Sequence, residues 1–407
     1  MKTFLVGGAV RDKLLGYPSS EKDWVVVGAN PKIMEEQGFV PVGKDFPVFL
    51  HPQTREEYAL ARTERKTGHG YAGFTFYCAE DITLEEDLRR RDLTINAIAE
   101  DEQGNVIDPY NGRQDLEQKI LRHVSPAFAE DPVRILRIAR FAARYHHLGF
   151  RVAQETLALM HAMVVSGEAN HLVAERVWKE TQRALGERSP DIFIHVLRDC
   201  GALACVLPEL DRLFAVPIIH QGINNAPQRD SNAGLHALLS LQQASRLSPE
   251  AIVRFATLLH PLNEQNGSGT DDGLRKSSAI HHLCERIAAP KDYRELALIV
   301  AEFHSRCHNA RELEPDVLLN LLVRTDAFRR PQRFDNFLLC CEAIARSDNT
   351  NLAAYPQANY LRRILQVCQS IDLKAIAAKG LTGKAFGDEL DQQRLAKIHD
   401  MRSQRKD

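Results

Sequence analysis

A pair of adjacent glycines between two short apolar runs constrains the N-terminal fold of this chain more than any other feature. Leu5-Val6 leads into Gly7-Gly8, and a second apolar run, Trp24–Val27, follows after a short helical stretch. Glycines at a tight turn join a strand to a helix, so this order predicts a strand, a turn, a helix and a second strand. Backbone N–H groups at the turn and at the helix start would form an anion site.

Two acidic residues stand at the start of the second apolar run. Glu21 and Asp23 are separated by Lys22, and alternate residues of a strand face the same side. We therefore expect the two carboxylates to point together. An anion site facing paired carboxylates suits metal-dependent nucleotidyl transfer, in which one part holds a triphosphate and the other holds Mg²⁺. On these residues alone, a βαβ turn with two solvated acids stays open as an alternative.

Further motifs follow along the N-terminal part of the chain. They are the loop Tyr58–Lys66, the segment Arg90–Ala97, the turn at Ile107–Leu116 and the arginine-rich segment Glu130–Arg144. Successive residues of a helix turn by ~100°, so the arginines of the last segment share one helix face. Like charges at these spacings repel each other, and a triphosphate or an RNA backbone would offset that repulsion.

Taken in this order, the motifs resemble those of the class II tRNA nucleotidyltransferases, the bacterial CCA-adding enzymes. Bacterial poly(A) polymerases share the catalytic head of that family. The resemblance implies an α+β fold, with a polymerase-β-like nucleotidyltransferase head built on a mixed sheet and an all-α neck, body and tail. It predicts a head over residues 1–125, a nucleotide-selecting neck over 126–215, a degenerate HD-like region over 216–330 and a tRNA-contacting tail over 331–407.

The resemblance also implies the site residues. Glu21 and Asp23 would be the catalytic carboxylates and the Mg²⁺ ligands, with Glu57 either a third carboxylate or a solvated strand acid. The residues that would bind ATP or CTP are Gly8, Arg11, Arg91, Asp131, Arg134, Arg137 and Arg140.

Within this set, Asp131 and Arg134 would read the base. A carboxylate accepts a hydrogen bond from an exocyclic amino group, and an arginine donates one to a ring acceptor. Cytosine and adenine both present an amino donor beside a ring acceptor, so such a pair selects C and A without a nucleic-acid template. An ordinary surface salt bridge between residues three apart is the alternative.

Two departures from the family pattern bear on activity. The family has Asp-x-Asp where this chain has Glu21-Lys22-Asp23. The extra methylene moves one carboxylate by ~1.5 Å, so we expect metal binding to survive and turnover to fall. Some members carry an HD-type phosphohydrolase, but its His-Asp pair reads His260-Pro261 here. We expect a retained helical fold without that activity, with His236, His304 and His308 as packing or surface residues.

The composition sets broader bounds. A chain with 44% hydrophobic and 26% charged residues is ordinary for a globular protein. No apolar run approaches the ~20 residues that span a bilayer, and no signal peptide precedes the first strand, so we expect a cytoplasmic protein. Eight cysteines without Cys-x-x-Cys spacing predict reduced thiols. The net charge of −2 requires any RNA-binding surface to be local. The basic segment Arg324–Arg333 is either such a surface or a solvated helix end.

Apolar patterning predicts the secondary structure coarsely. The predicted strands are Phe4–Val6, Trp24–Val27, Phe46–Leu50, Glu57–Leu60 and Thr94–Ala99. Beyond about residue 126 the pattern is helical, for example over Glu155–Val165, Glu175–Leu185 and Ile192–Leu197. Polar, Gly-rich composition predicts long loops at Pro217–Gly234 and Asn263–Asp272.

The leading interpretation is a Mg²⁺-dependent enzyme that adds C, C and A to tRNA 3′ ends from CTP and ATP. Its partners would be tRNA, ATP and CTP, with no membrane, and it would be a monomer or a homodimer. A poly(A) polymerase of the same superfamily and a catalytically decayed tRNA-binding homologue stay open as alternatives. The latter predicts tRNA affinity that falls steeply with salt, without nucleotide incorporation.

Overall fold

The structure is a computed structural model that describes residues 1–18, 22–42, 48–66, 74–217, 232–263, 273–348 and 354–403. Glu21, one of the two predicted metal ligands, lies outside the described residues, as do most of the two predicted long loops. The chain divides into two compact units, Met1–Val206 and Leu207–Asp407.

The first unit contains the strands of the chain within the described residues. They are β1 (Lys2–Val6), β2 (Asp23–Val27), β3 (Val40–Val42), β4 (Val48–Leu50), β5 (Glu57–Leu60), β6 (Thr63–Lys66), β7 (Phe74–Tyr77), β8 (Ala99–Glu100), β9 (Val106–Ile107), β10 (Ile120–Leu121) and β11 (Arg151–Val152). The main sheet has the order β3-β4-β5-β2-β1-β8-β9. In that sheet β2 and β5 run parallel, and the other neighbouring strands are antiparallel.

The two faces of the main sheet explain why its central strands read as continuous apolar runs. Val25 of β2 packs with Phe4 and Val6 on one face. The next residue, Val26, packs with Phe49 and Leu60 on the other. A strand buried on both faces needs apolar residues at consecutive positions rather than at alternate ones.

Helices pack around and after this sheet in the first unit. They are α1 (Gly8–Leu14), α2 (Pro31–Glu36), α3 (Leu84–Arg89), α4 (Gly112–Gln118), α5 (Val133–Tyr145), α6 (Gln154–Val165), α7 (Ala174–Gly186), α8 (Pro190–Asp199) and α9 (Leu203–Val206). Helix α5 packs against α7 and α8. Its apolar residues Ile135, Leu136 and Ile138 are fully buried, so its arginines occupy the remaining face.

Two predictions about local structure were wrong. Thr94–Asn96 forms a 3₁₀ turn, and the strand β8 begins only at Ala99. The turn is held by buried side-chain hydrogen bonds, since the Thr94 hydroxyl donates to Asp115 Oδ2 at 2.6 Å. An apolar run buried on all sides carries no periodicity that separates such a turn from a strand. The segment Tyr58–Lys66, expected as a loop, contains most of β5, which the strand prediction Glu57–Leu60 places correctly, and also β6, which was not predicted.

The second unit is helical throughout its described residues. Its helices are α10 (Pro208–Arg212), α11 (Ala233–Leu247), α12 (Ala251–Leu259), α13 (Gly273–Arg286), α14 (Lys291–His308), α15 (Pro315–Arg324), α16 (Pro331–Asp348), α17 (Pro356–Gln369), α18 (Leu373–Ala377) and α19 (Gly383–Ser403). Helices α11, α12, α14 and α16 pack together. Phe255, Phe303, Phe334 and Phe337 are almost fully buried in this unit. In the described part of the chain, no helix is both long enough and apolar enough to cross a bilayer.

Candidate nucleotide-binding site

A cavity of about 570 Å³ opens in the first unit, lined by residues of the Gly-Gly turn and of helices α5 and α7. Its volume is in the range of small-molecule sites. Nine arginines and three aspartates line it, so the cavity favours a polyanion. It brings together all the predicted site residues that the structure describes, namely Gly8, Arg11, Asp23, Arg91, Asp131, Arg134, Arg137 and Arg140.

Glycine is required at position 7 for two reasons. The residue has φ +68°, which L side chains rarely adopt, and a Cβ there would lie 2.8 Å from Nη1 of Arg91. Arg91 in turn donates from Nη2 to Asp87 Oδ2 at 3.4 Å. Burial lowers the pKa of Arg91 below its ordinary value. The turn therefore leaves space for a partly desolvated guanidinium at the edge of the cavity.

A largely buried hydrogen-bond chain links two of the predicted nucleotide-binding residues, Arg11 and Arg137. Arg137 Nε donates to Asp92 Oδ2 at 2.7 Å, and Asp92 Oδ1 accepts from Asn96 Nδ2 at 2.9 Å. Asn96 Oδ1 then accepts from Arg11 Nη1 at 2.5 Å. Burial alone would raise the pKa of Asp92, but the Arg137 charge and these hydrogen bonds outweigh it, so that pKa lies well below its ordinary value. The chain of contacts fixes Arg11 and Arg137 relative to each other.

One aromatic ring contacts three of the cationic side chains. The guanidinium carbons of Arg140, Arg11 and Arg137 lie 4.5, 5.2 and 5.8 Å from the centre of the Phe141 ring. Arg140 also donates from Nε to Glu180 Oε2 at 2.7 Å, in a buried pair. Cation–π contacts contribute ~0.5–2 kcal/mol each, so the ring helps to hold the cations together despite their repulsion.

The two predicted base-reading residues are held differently. Arg134 donates from Nη1 to the carbonyl of Ala127 at 2.8 Å and from Nη2 to the carbonyl of Arg90 at 2.7 Å. Asp131 instead receives two hydrogen bonds from Arg176, at 3.1 and 2.7 Å. Sequence reasoning missed Arg176, which lies on α7 rather than on the arginine-rich helix α5. No spacing within either segment signals the pair, because Arg176 and Asp131 are 45 residues apart in the sequence.

One carboxylate of the cavity lining, that of Asp23, has a second acidic residue beside it on the neighbouring strand. Asp23 begins β2 and is aligned with Glu57 of the parallel strand β5, so both side chains leave the same face of the sheet. Both residues are exposed. Carboxylate oxygens are the donors that a hard cation such as Mg²⁺ prefers. Among the described residues no group of three or more His, Cys, Asp or Glu side chains is arranged to hold a metal ion.

Comparison with known proteins identifies the family. Residues 3–122 match the family described as Poly A polymerase head domain, and residues 149–214 match the one described as Probable RNA and SrmB- binding site of polymerase A. The chain is 54% identical to the Multifunctional CCA protein of Teredinibacter turnerae, over 98% of this chain and 97% of that one. It is 55% identical to the protein of the same name from Thioalkalivibrio sulfidiphilus, over 99% of both. The chain belongs to the multifunctional CCA protein family.

Solved structures agree with this multifunctional CCA protein assignment at the level of the fold. A CCA-adding enzyme in its apo form II has a TM-score of 0.64 at 19% identity, covering 98% of this chain and 88% of that one. A complex of a CCA-adding enzyme with CTP has a TM-score of 0.61 at 22% identity, covering 98% and 87%. The predicted fold class, a nucleotidyltransferase head followed by helices, is confirmed. Nucleotidyltransferases of this family generally use a divalent metal.

Four histidines of the second unit, including His260 of the predicted degenerate HD-like region, lie close together. The His260 ring centre is 5.1 Å from that of His236 and 5.3 Å from that of His304, which is 5.8 Å from His308. His260 is fully buried and donates from Nδ1 to the Thr257 carbonyl at 2.7 Å. Burial, followed by the charges of the neighbouring histidines, holds its pKa well below the ordinary value. Loss of phosphohydrolase activity stays a prediction.

The basic segment Arg324–Arg333 is largely neutralised by carboxylates. Arg330 and Arg333 each donate to Glu295 Oε2 at 2.8 Å, and Arg324 donates to Glu302 at 3.0 Å. These pairs reduce the positive charge that the segment offers to a polyanion. Contact between this segment and a tRNA backbone stays a prediction.

Proposed function

We propose that this chain adds C, C and A to the 3′ end of tRNA from CTP and ATP, without a nucleic-acid template. The proposal depends mainly on one observation, which is the arginine-rich cavity. In it the carboxylate of Asp131 has room to accept a hydrogen bond from a base. The end-to-end relationship to multifunctional CCA proteins supports the same activity, and it makes the chain an enzyme.

The reaction joins the RNA to the α-phosphorus of the nucleotide. The 3′-hydroxyl oxygen gives up its proton to solvent and forms the new P–O bond, the bond from the α-phosphorus to the bridging oxygen of the β-phosphate breaks, and pyrophosphate leaves. We propose that Arg11, Arg137 and Arg140 bind the triphosphate. Their preorganised positive charge would stabilise the charge that grows on the leaving pyrophosphate.

We propose that the divalent metal is Mg²⁺ and that Glu21 and Asp23 hold it. When bound, Mg²⁺ would act as a Lewis acid that activates the hydroxyl and stabilises the leaving oxygen. The exposed carboxylate of Asp23 at the edge of the cavity fits this role. Gly8 of the turn, and Arg91 close to Gly7, would complete the contacts to the nucleotide.

We propose that base selection is carried by Asp131 and Arg134, which line the same cavity. Asp131 would accept from the amino group of cytosine or adenine, and Arg134 would donate to the adjacent ring acceptor. Uracil and guanine present a carbonyl oxygen to Asp131, so acceptor would face acceptor. This arrangement excludes them without a template strand.

Each region of the chain would have its own role in the reaction. Residues 1–125 would carry the chemistry, 126–215 would select the nucleotide, and 216–330 and 331–407 would form the HD-like region and the tRNA-contacting tail. A tRNA substrate would place the protein in the cytoplasm.

The test supplies purified protein with tRNA lacking its CCA end, Mg²⁺, and labelled CTP and ATP, separately and together. We expect addition of CC with CTP alone and completion of CCA with both. Asp23→Asn should abolish incorporation while leaving tRNA binding intact, and Glu21→Asp should incorporate faster than the natural chain. Salt-sensitive tRNA binding without any incorporation by the natural chain or by Glu21→Asp would contradict the proposal.

A further inference from the structure

The carboxylate of Asp131, the proposed base-reading residue, is held by an arginine on helix α7. Asp131 Oδ1 accepts from Arg176 Nη1 at 3.1 Å, and Asp131 Oδ2 accepts from Arg176 Nη2 at 2.7 Å. Two parallel N–H···O bonds of this kind fix both the position and the plane of a carboxylate. A single-point cation such as lysine cannot do so.

The other contacts of Asp131 limit how many further hydrogen bonds its carboxylate can accept. Oδ1 also accepts from the backbone N–H of Val133 at 3.1 Å, at the start of α5. A carboxylate offers about four acceptor sites, two on each oxygen. The contacts within the described residues therefore fill Oδ1 and leave one acceptor site on Oδ2. The Asp131 side chain retains 18% of its exposure in the cavity, so a ligand can reach it.

We propose that Arg176 is the positioning residue for base selection: by fixing the Asp131 carboxylate it aims the one open acceptor site of Oδ2 at the exocyclic amino group of cytosine or adenine. The inference rests on the proposed function, because it assigns a specificity role within the same site. A carboxylate free to rotate would still attract donors, but it would no longer penalise the carbonyl oxygen of uracil or guanine at one defined position.

A matched control lies on the same helix. Arg183 is two turns beyond Arg176 on α7 and lines the same cavity. It pairs with Glu180 at 3.9 Å, and its side chain is 53% exposed. Arg176→Gln and Arg183→Gln therefore remove the same charge from the same helix and cavity, and only the first releases Asp131.

The experiment measures the preference for CTP over UTP in two ways on the full chain. One is the kcat/KM ratio for single-nucleotide incorporation, and the other is the Kd ratio for nucleotide binding without tRNA, obtained by calorimetry. We expect Arg176→Gln to lower both ratios about tenfold, the effect of one oriented hydrogen bond to a charged group. Arg183→Gln should weaken both nucleotides alike and leave the ratios within about twofold. Arg176→Lys should not restore them, because it cannot bind the carboxylate through two bonds.

Repeating the measurement in an Asp131→Ala chain distinguishes a positioning role of Arg176 from a general contribution to the structure. Because Arg176 acts through Asp131, Arg176→Gln should change the ratios in the natural chain but not in an Asp131→Ala chain. Equal weakening of CTP and UTP by Arg176→Gln, or rescue of the ratios by Arg176→Lys, would overturn the inference. A natural chain that prefers CTP in binding but incorporates no nucleotide would overturn the proposed function instead, while the Kd ratios still decide the role of Arg176.

Discussion

Replacing Asp92 by asparagine removes the charge at the centre of the network that joins Arg11 to Arg137. The oxygen of the new amide can still accept from Asn96, but the amide nitrogen then faces the Arg137 guanidinium, donor against donor. The lost contacts are two hydrogen bonds to a charged group, from Nε and Nη2 of Arg137, both at 2.7 Å. Removing one partner of a buried pair costs ~3–5 kcal/mol. Since the Arg137 side chain is 34% exposed, we expect Asp92→Asn to lower the free energy of unfolding by a smaller amount, about 2–3 kcal/mol.

The assay is urea unfolding followed by tryptophan fluorescence. Both tryptophans of the chain, Trp24 and Trp178, lie in the first unit, so the signal reports the unit that contains Asp92. Glu117→Gln, an exposed carboxylate on α4, serves as the control and should change the unfolding free energy by less than ~0.5 kcal/mol. Displacement of Arg11 and Arg137 should also lower kcat/KM for CTP by ~10²-fold.

The pH dependence supplies a second check. The folded-state pKa of Asp92 is depressed, so its contribution is fully present above the unfolded value of ~3.9 and is lost as the pH falls through the folded value. The difference in unfolding free energy between the natural chain and Asp92→Asn should therefore be roughly the same at pH 5.5 and pH 7.5. A loss below ~1 kcal/mol, or one that changes across this range, would refute the reasoning.

Other substitutions test neighbouring parts of the structure. Gly7→Ala should destabilise the chain by ~1–2 kcal/mol through its positive φ and raise the KM for CTP by displacing Arg91; an unchanged melting curve and KM would contradict this. Phe141→Leu should raise the KM for CTP about tenfold at similar stability, because it removes a ring contacted by three guanidiniums; an unaltered KM would count against the contacts. His260 has a folded-state pKa below its unfolded value of ~6.5, so stability of the second unit should fall by ~1.4 kcal/mol per pH unit below that value. In urea unfolding followed by circular dichroism, His260→Gln should remove that slope, and equal slopes would exclude His260 as its source.

Most of the residues that line the cavity could be predicted from the sequence, because they lie within continuous motifs. Gly8 and Arg11 follow one turn, and Asp131, Arg134, Arg137 and Arg140 lie along one helix or directly before it. Local spacing places such residues on a common face whatever the rest of the fold does. The central strands were also predictable, since strands buried on both faces read as apolar runs.

Features that depend on tertiary packing were not predictable in this way. Arg176 contacts Asp131 from another helix, and no spacing within either segment reveals the pair. The Thr94–Ala99 run is buried on all sides, so its composition fits a strand as well as the turn that it forms. The arginines of Arg324–Arg333 read as a basic patch, yet carboxylates on other segments offset their charge.

The most direct measurement determines the 3′ sequences of products made from tRNA lacking CCA, with all four nucleoside triphosphates present. We predict products that end in CCA and stop there, with no U or G incorporated. Runs of A would show that the head works as a poly(A) polymerase. Unextended tRNA from both the natural chain and Glu21→Asp would contradict nucleotidyl transfer by this site.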